Sequence, residues 1–509
     1  MIKYLIYDTE TESENLDTDD INIHDHKPFM VSYVVADERF NIVHQDYFYL
    51  DNTAKKATFN YYLKQAPTFV GANIKFDVHM LLNTGYSVKD FMDKHYIDIQ
   101  VLARLCINSD QQTDKSFRTG LKALAVKYLG IDSNVEERLL KNELSQLKQQ
   151  HKRQMIQYFT SLGLWDTTLS RTNETKIINE IYDSWFKVYH KYTKFTKARK
   201  QFFQQYPRPS YKDCKNVETY AMTDAILTYK LFKLWYPQIP QLEQVPALMR
   251  ISDATFPLVL MERKGLSVDL NRLIHDRYLL LKELEKTKII SPINGEEVSA
   301  DQNAKLKQIY EYETGLSLPN ADEKVRKMIM DQSPTARIVD YKKKLLKYLN
   351  TYVTRILSKL TVVDNDCKVF TQYKLAGTIT GRLSSDFQQF PKEPLELQTG
   401  DVISIRSWFK VPEGDKYMFF FDYSQLELRL QCEWTNLING SPDINMARAF
   451  MPYRCTLRGD KYYLDEDPNT EWTPTDLHAM TAKLAFPDID ETHPEWKHYR
   501  SLGKRCNFA

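Results

Sequence analysis

The sequence lacks the features that mark secreted, membrane-spanning or disulfide-rich proteins. Its six cysteines are scattered and include no Cys-x-x-Cys pair, which argues against a zinc ribbon or a disulfide framework and for a reducing cytoplasm. No apolar run approaches the ~20 residues that a membrane helix needs. The N-terminus, MIKYLIYDTE, has no long apolar core and is not a signal peptide. We therefore expect a cytoplasmic protein without a membrane partner.

Net charge is also nearly absent. The chain has 69 basic and 67 acidic residues, a formal net charge of +2, so any contact with nucleic acid must come from local patches. Acidic residues are concentrated between Asp8 and Asp25, and basic residues in KYTKFTKARKQFFQQYPRP, residues 191–209. At 509 residues the chain is too long for one ordinary hydrophobic core, and we expect about three domains.

Hydrophobic periodicity predicts an α/β region at the start of the chain. The segments YLIYDTE, PFMVSYVVAD, NIVHQDYFYL and PTFVGAN are typical of strands, and the middle two of a hairpin. IKFDVHMLLNTG predicts a helix that ends at Gly85, and a second, amphipathic helix is predicted over 118–129. Residues 133–205 are almost wholly helical in pattern, and another strong helix covers 217–236.

A proline-rich segment predicts a domain boundary later in the chain. Residues 237–246 carry three prolines and separate the first region from a mainly helical one at 247–360. Short strands are predicted after that, including the run YMFFFDYSQ. The expected fold class is therefore mixed α/β.

Two acidic side chains end the first predicted strand. Asp8 and Glu10 stand at i and i+2, so they project to the same face of an extended segment. Neighbouring carboxylates repel each other unless a cation lies between them, and Mg²⁺ takes oxygen ligands at ~2.1 Å. A lone Asp-x-Glu is equally typical of a solvated strand end, so its meaning depends on the other acids of the chain.

Further acids follow in the same region. GANIKFD places Asp77 at a strand-to-helix junction, four residues after Asn73, and YAMTD places Tyr220 and Asp224 on one helical face. Asp224 has apolar neighbours, where an acid is costly unless a metal or a partner holds it. With the acids of the first strand, these carboxylates could hold two metal ions ~4 Å apart, which suits an in-line phosphoryl displacement. The Tyr220 hydroxyl could orient the attacking water.

The motifs DTE at 8–10, NIKFD at 73–77 and YAMTD at 220–224 resemble, in order, the exonuclease motifs of DEDDy-type 3′–5′ exonucleases. FRTGLKALAVKYLGI resembles the helix that follows the second motif of that family. The resemblance implies a ribonuclease H-like exonuclease domain over 1–236, with two Mg²⁺ ions, or Mn²⁺ instead. The implied metal ligands are Asp8, Glu10, Asp77 and Asp224.

Residues 133–205 exceed what a compact exonuclease needs and are interpreted as a helical insertion. Two interpretations of its basic, aromatic end stay open. It could grip single-stranded DNA by charge and stacking, or it could be a solvated helical face.

A second constellation begins at DYSQLELR, residues 422–429. The run of three phenylalanines before it predicts that Asp422 ends a buried strand, which makes it a candidate metal ligand. The segment closely resembles the part of family A DNA polymerases (DNA polymerase I-like, phage type) that carries one catalytic aspartate. By that resemblance Asp422 would bind two Mg²⁺ ions, Tyr423 would help through its backbone carbonyl, and Glu427 would exclude a 2′-hydroxyl from the nucleotide site.

Further segments resemble the same family in family order: GTITGRLSS, IRSWFKVPEG, TDLHAMTA and RSLGKRCNFA. The first two imply that Arg382 and Arg406 contact the DNA primer-template. Arg500, Lys504 and Phe508 fall at i, i+4 and i+8 on one helical face, which suits a phosphate chain and a stacked base. The nucleotide-binding residues that the resemblance implies are Glu427, His478, Arg500, Lys504 and Phe508.

The resemblance also implies an architecture, namely the thumb, incomplete palm and incomplete fingers of a right-hand polymerase. The thumb would cover 247–375, the first part of the palm 376–435, and the first part of the fingers 436–509. The family's second catalytic aspartate, in a His-Asp-Glu segment, has no counterpart in this sequence. The chain is therefore interpreted as the N-terminal portion of a replicative polymerase with proofreading, whose synthesis needs a C-terminal polypeptide.

Two other functions remain open at this point. One is a stand-alone 3′–5′ exonuclease with a DNA-binding polymerase remnant, and the other is a non-catalytic DNA-binding subunit, against which the intact exonuclease acids argue. The expected partners are a primer-template, a single-stranded 3′ end and dNTPs. The expected location is the cytoplasm, or the host cytoplasm for a phage protein.

Overall fold

The computed structural model describes the chain except for 14–22, 25, 114–116, 133, 184–190, 376, 379, 413, 416, 420, 424 and 508–509. The chain divides into two compact units, Met1–Asp415 and Lys416–Ala509. In the part of the chain that is described, no helix is long and apolar enough to cross a membrane.

A mixed sheet is the frame of the first unit. Among the described residues it has five strands: β1 (Ile2–Ser13), β2 (His26–Asp37), β3 (Ile42–Tyr49), β4 (Thr68–Gly71) and β5 (His95–Asp98). The strand order is β3-β2-β1-β4-β5, with β1, β2 and β3 antiparallel and β1, β4 and β5 parallel. The predicted strands and the predicted hairpin are confirmed.

Helices cover both faces of this sheet, and consecutive residues of β1 point to opposite faces. Leu5 and Tyr7 join one core, while Tyr4 and Ile6 join the other. The covering helices are α1 (Thr53–Gln65), α2 (Ile74–Asn83), α3 (Ile99–Cys106), α4 (Ser109–Thr113), α5 (Leu121–Leu124) with a π-helical turn over Ala125–Leu129, and, after the inserted helices, α9 (Val217–Trp235). The helices predicted at Ile74 and over 217–236 are confirmed, and the one predicted over 118–129 begins at Leu121.

The inserted helices build a core of their own. They are α6 (Asn134–Ser161), α7 (Arg171–Asp183) and α8 (Thr196–Gln205). Aromatic side chains such as Phe159, Tyr182 and Phe202 fill the space between them and are fully buried. The prediction that 133–205 is helical is confirmed for its described residues.

The proline-rich segment at 237–246 does not separate compact units. Helix α10 (Val245–Lys264) begins inside it, with Pro246 in the first turn, where a missing N–H costs nothing. Leu248 of this helix packs into one core of the sheet, and Phe256 and Val259 pack into the other. The domain limits derived from the sequence stay predictions.

The rest of the first unit is mainly helical, as expected. Its helices are α11 (Leu270–Lys286), α12 (Asn303–Thr314), α13 (Glu323–Ile329), α14 (Pro334–Lys347) with a π-helical turn over Tyr348–Val353, and α15 (Thr354–Lys359). Two small sheets contain β6 (Leu266–Ser267), β7 (Thr361–Val363) and β8 (Asp366–Val369), and β9 (Leu395–Glu396) with β10 (Val402–Ile403). The buried Trp408 Nε1 donates a hydrogen bond of 2.8 Å to Asp276 Oδ2 of α11 and fixes this region.

The second unit contains short helices and one hairpin. Its elements are α16 (Leu426–Asn439), α17 (Ile444–Phe450), β11 (Cys455–Arg458), β12 (Lys461–Leu464), α18 (Leu477–Ala485) and α19 (Trp496–Cys506). Its small core joins Leu428, Ala449 and Leu477.

The prediction of a buried strand in YMFFFDYSQ is wrong for the described residues. Residues 417–419 and 421–423 have no regular structure, and Phe421 is 91% exposed. A strand needs a neighbour that satisfies its backbone hydrogen bonds, and no described strand pairs with this segment.

Candidate active site

Asp8 and Glu10 lie in the central strand of the sheet and are partly buried. The strand continues to Ser13, so the prediction that these two acids end it is wrong. Burial raises the pKa of Asp8 to about 6, although the charge of Lys122 lowers it. Burial and the charge of Asp8 raise the pKa of Glu10 to about 8. Two carboxylates are therefore crowded into one place where their negative charge is unfavourable unless a cation is present.

Asp77 is brought to the same strand by the loop that begins α2. Asn73, in the left-handed conformation with φ 65°, starts the helix, and Asp77 follows in its first turn, 1% exposed. The Thr9 N–H and hydroxyl donate hydrogen bonds of 2.9 and 2.7 Å to Asp77 Oδ1. Burial, and next the charge of Asp8, raise the pKa of Asp77 well above its usual value.

Asp98 is a supporting acid that the sequence analysis missed. It ends β5, caps α3 and accepts a hydrogen bond of 3.2 Å from the N–H of Ile74, so it fixes the loop that carries Asp77. Burial raises its pKa to about 6. Its one sequence signal is an acid between a strand and a helix, which ordinary helix caps share.

Tyr220 and Asp224 come from α9, which crosses the sheet. The Ser32 hydroxyl of β2 donates a hydrogen bond of 2.9 Å to the Ala221 carbonyl and anchors the helix there. Asp224 is only 6% exposed. Burial, together with the charges of Glu10 and Asp8, raises the pKa of the Tyr220 hydroxyl, so it stays protonated at neutral pH.

Lys122 of α5 is the cation among these acids. Its ammonium forms an ion pair with Asp224 and lies 4.5 Å from the centre of the Tyr220 ring. The charges of Asp8 and Glu10 act on it as well, although burial lowers its pKa. The sequence analysis included Lys122 only as part of an amphipathic helix, because nothing in the pattern sets it apart from a surface lysine.

The donor chemistry of this acidic cluster fits Mg²⁺, since all four acids offer carboxylate oxygens. The described residues hold no group of three or more acids, histidines or cysteines already arranged around a metal position. Asp77 is held by Thr9, and Asp224 by Lys122. The ammonium of Lys122 therefore occupies Asp224 Oδ1, one of the carboxylate oxygens that a metal ion could use.

A stability measurement tests this crowding. Because the pKa of Glu10 is raised from 4.5 to about 8, its contribution to stability is present below pH 4.5 and lost as the pH rises through 8. Without metal, Glu10→Gln should therefore be more stable than the wild type at pH 8, by roughly 1–3 kcal/mol, and this gain should vanish towards pH 4.5.

Thermal melts at several pH values in EDTA measure this difference, with the exposed Glu38→Gln as a control that should change little. Excess Mg²⁺ should stabilise the wild type, by about 2.7 kcal/mol at 100 times its Kd, and not Glu10→Gln. A variant that is less stable than the wild type at pH 8 contradicts the expected crowding.

A buried joint, formed by Glu262 with Lys75 and His79, connects the helix of Asp77 with α10, and the sequence analysis did not predict it. Glu262 of α10 is 2% exposed, forms an ion pair with Lys75, and lies 2.7 Å from His79 Nε2. The N–H of Tyr373 donates a further hydrogen bond of 2.6 Å to Glu262. Burial would raise the pKa of Glu262, but the hydrogen bond from His79 and the charge of Lys75 outweigh it and lower that pKa.

The residues predicted from the polymerase resemblance fall into both units. Arg382 and Arg406 lie in the first unit. The Thr378 hydroxyl donates a hydrogen bond of 2.8 Å to the Arg382 carbonyl. Arg406 is exposed in a single helical turn. In the second unit Asp422 and Tyr423 are exposed. The prediction that Asp422 ends a buried strand is thus wrong.

The nucleotide-binding residues are partly brought together in the second unit. The Asp476 carboxylate accepts a hydrogen bond of 2.7 Å from Arg500 Nε and one of 2.9 Å from the N–H of His478. Burial lowers the pKa of His478, and the charges of Arg500 and Lys504 lower it as well, although the charge of Asp476 raises it. Glu427 is exposed in the first turn of α16, and Phe508 lies outside the described residues.

Gly503 explains how closely these two helices approach. A Cβ there would lie 2.4 Å from the His478 carbonyl oxygen and 2.9 Å from the Ala482 nitrogen. We expect Gly503→Ala to destabilise the pairing of α18 and α19 by about 1–2 kcal/mol, because overpacking outweighs the better helix propensity of alanine. Hydrogen exchange of residues 477–506 measures the effect. The exposed Ser501→Ala in the same helix is the control, and equal protection in both variants contradicts the prediction.

Comparisons with known proteins agree on one class. The profile of DNA polymerase family A matches residues 263–509. DNA polymerase I of Bacillus subtilis is 30% identical over 226 residues, which are 42% of this chain and 24% of that protein. DNA polymerase I of Helicobacter pylori is 29% identical over 190 residues (37% and 17%), and the DNA polymerase of Bacillus phage SP01 is 32% identical over 124 residues (23% and 13%). The matched segments thus span less than a third of these relatives.

A solved structure has a similar fold. The POL domain of Pol1 from M. smegmatis, in complex with DNA primer-template and dNTP, has a TM-score of 0.58 at 16% identity, covering 99% of this chain and 67% of that one. The chain therefore has the mixed α/β fold of a DNA polymerase I polymerase domain. The match to the profile of DNA polymerase family A, over residues 263–509, covers just under half of this chain. Enzymes of this family use divalent metal ions, generally Mg²⁺. None of these comparisons supports a separate C-terminal polypeptide.

Proposed function

We propose that residues 1–236 are a 3′–5′ exonuclease of the DEDDy type, which proofreads for the family A polymerase domain during DNA replication. One observation carries the proposal: acids from β1 and the middle of α9 converge on one ammonium, that of Lys122, and Asp77 at the start of α2 lies close enough to Asp8 for the charge of Asp8 to raise its pKa. The strand order β3-β2-β1-β4-β5, with the acids on the central strand, supports a ribonuclease H-like fold.

Each residue of the acidic cluster has a role in this proposal. Asp8, Glu10, Asp77 and Asp224 would hold two ions. Bound Mg²⁺ would supply hydroxide from water and stabilise the departing 3′ oxygen. The protonated Tyr220 hydroxyl would orient the attacking water, and Thr9 would keep the Asp77 carboxylate aimed at the strand. Lys122 would leave Asp224 when the ions bind.

The polymerase residues keep the roles that the resemblance implies. Asp422 and the Tyr423 carbonyl would bind Mg²⁺, and Glu427 would select the sugar. The match of residues 263–509 to family A supports these assignments. The DNA contacts would be Arg382 and Arg406, and the triphosphate and base contacts His478, Arg500, Lys504 and Phe508.

The test uses a 5′-labelled primer on a template, with Mg²⁺ or EDTA, with and without dNTPs. We expect stepwise shortening from the 3′ end in Mg²⁺ and none in EDTA. A primer with a phosphorothioate at its last linkage should be shortened more slowly, which confirms attack at that linkage. An unshortened primer in Mg²⁺ overturns the exonuclease proposal, and template-dependent lengthening shows that this chain alone can synthesise DNA.

A further inference from the structure

A basic groove lies between the inserted helices and the acidic strand. One cavity of about 680 Å³ lies between α6 and α7 and is lined by Lys141, Lys148, Lys152 and Arg153, among others. Tyr211, which is half-buried, also lines this cavity. We call this cavity and the adjoining one described next the basic groove.

The second cavity extends the groove towards the acids. It measures about 470 Å³ and shares Leu144, Lys148 and Tyr211 with the first. Thr11 and Glu12 of β1 form part of its wall. Glu12 stands two residues beyond Glu10 on the same strand face, a distance of about 7 Å along the strand. The groove therefore reaches the edge of the acidic cluster.

Positive charge follows the groove in a regular line. Lys141, Lys148 and Lys152 occupy one face of α6, separated by about 10 and 6 Å along the helix axis. Lys141 pairs with Glu137 and Lys152 with Asp183, whereas Lys148 and Arg153 form no ion pair within the described part of the chain. Lys27 and Arg208 add positive charge in the second cavity. The acids that line the groove are Glu12 in the second cavity and Glu174 and Asp183 in the first.

We propose that the basic groove binds a single strand of DNA and leads its 3′ end to the acidic cluster. Lys148 and Arg153 would contact phosphates, and Tyr211, between the two cavities, would stack on a base. This inference rests on the proposed exonuclease. It selects the strand-gripping interpretation of the insertion but places most of the contacts on α6, with Arg208 and Pro209 of residues 191–209 lining the second cavity. A charged line beside an aromatic ring is the arrangement by which proteins bind single strands without reading sequence.

The test measures binding in EDTA, where hydrolysis cannot occur. The probe is a short labelled oligothymidylate, followed by fluorescence anisotropy at several salt concentrations. Lys148→Glu with Arg153→Glu should raise Kd at least about tenfold and make the slope of log K against log salt less steep by about 1.4, for two phosphates. The matched control is Lys197→Glu with Lys200→Glu on α8, two exposed lysines that do not line the described cavities and should change Kd less than about twofold. If both double variants weaken oligothymidylate binding equally, the proposal that the groove binds DNA is overturned, because the overall charge of the protein would then explain the binding.

A second variant separates DNA from other polyanions. Tyr211→Leu should weaken binding of the oligothymidylate about tenfold and leave an abasic strand of the same length unaffected. An equal response of both strands overturns the assignment in favour of a general polyanion, such as an acidic protein segment. Because binding is measured without metal, failure of the groove and failure of the exonuclease are distinguishable: intact binding without 3′-end shortening in Mg²⁺ contradicts only the exonuclease.

Discussion

Replacing Asp8 and Glu10 together by alanine is expected to lower the rate of 3′-end removal by at least about 10³-fold. Both acids lie on the central strand, and burial raises their pKa values, so two negative charges at this place lower the stability of the fold. Metal ions stabilise the charge of a phosphoryl transition state by several kcal/mol, and each 1.4 kcal/mol is tenfold in rate. Rates of primer shortening under single-turnover conditions measure the loss.

Two controls make this result specific. Glu38→Ala with Asp51→Ala removes two exposed acids of the same region and should leave the rate within about twofold. The Asp8→Ala/Glu10→Ala variant should melt no lower than the wild type in EDTA, because it removes charges that are costly to bury. A residual rate within tenfold of the wild type would falsify the assignment of these acids to metal binding.

Glu262→Ala is expected to destabilise the first unit by about 3–5 kcal/mol, because it leaves Lys75 buried without its partner. It also removes the acceptor of His79 and of the Tyr373 N–H. Thermal and urea unfolding measure the effect. Glu323→Ala, which breaks an exposed ion pair with Lys327, should cost at most about 1 kcal/mol.

Two further measurements identify the cause. Adding Lys75→Met to Glu262→Met should restore much of the stability, since an apolar pair often replaces a buried ion pair at little cost. Burial lowers the pKa of His79, so this ring takes up a proton more readily in the unfolded chain than in the folded one. The free energy of unfolding should therefore fall as the pH drops below about 6.5. If Glu262→Ala is no more destabilising than Glu323→Ala, the joint does not hold the two helices together.

Much of the first unit could be predicted from the sequence. Asp8, Glu10, Asp77 and Asp224 stand out because strand alternation and helical spacing act over a few residues, and the strands and helices that carry them follow from the same local patterns. Lys122 and Glu262 do not stand out in the sequence, because each forms its ion pairs with residues that are distant along the chain. Glu262 meets Lys75 and His79 only after α10 has packed on the sheet.

The error at Asp422 has a different origin. An apolar run such as that before Asp422 reports that a segment can be buried, not that a partner strand is there to bury it. Phe419 and Phe421 are exposed, so the apolar pattern alone was not sufficient. Arg500 and His478, in contrast, are joined through Asp476, two residues before His478, which a motif comparison alone would not reveal.

The packing of α10 decides where the gene can be cut. A truncated product that stops at Trp235, in the last turn of α9, would expose to water the surface that Leu248, Phe256 and Val259 cover. It would also leave the buried Lys75 without its ion-pair partner Glu262. Such a product should aggregate or be digested by proteases. Expression of the region with the five-stranded sheet for crystallisation should therefore extend through Lys264, although this takes the cloning boundary past the proline-rich segment.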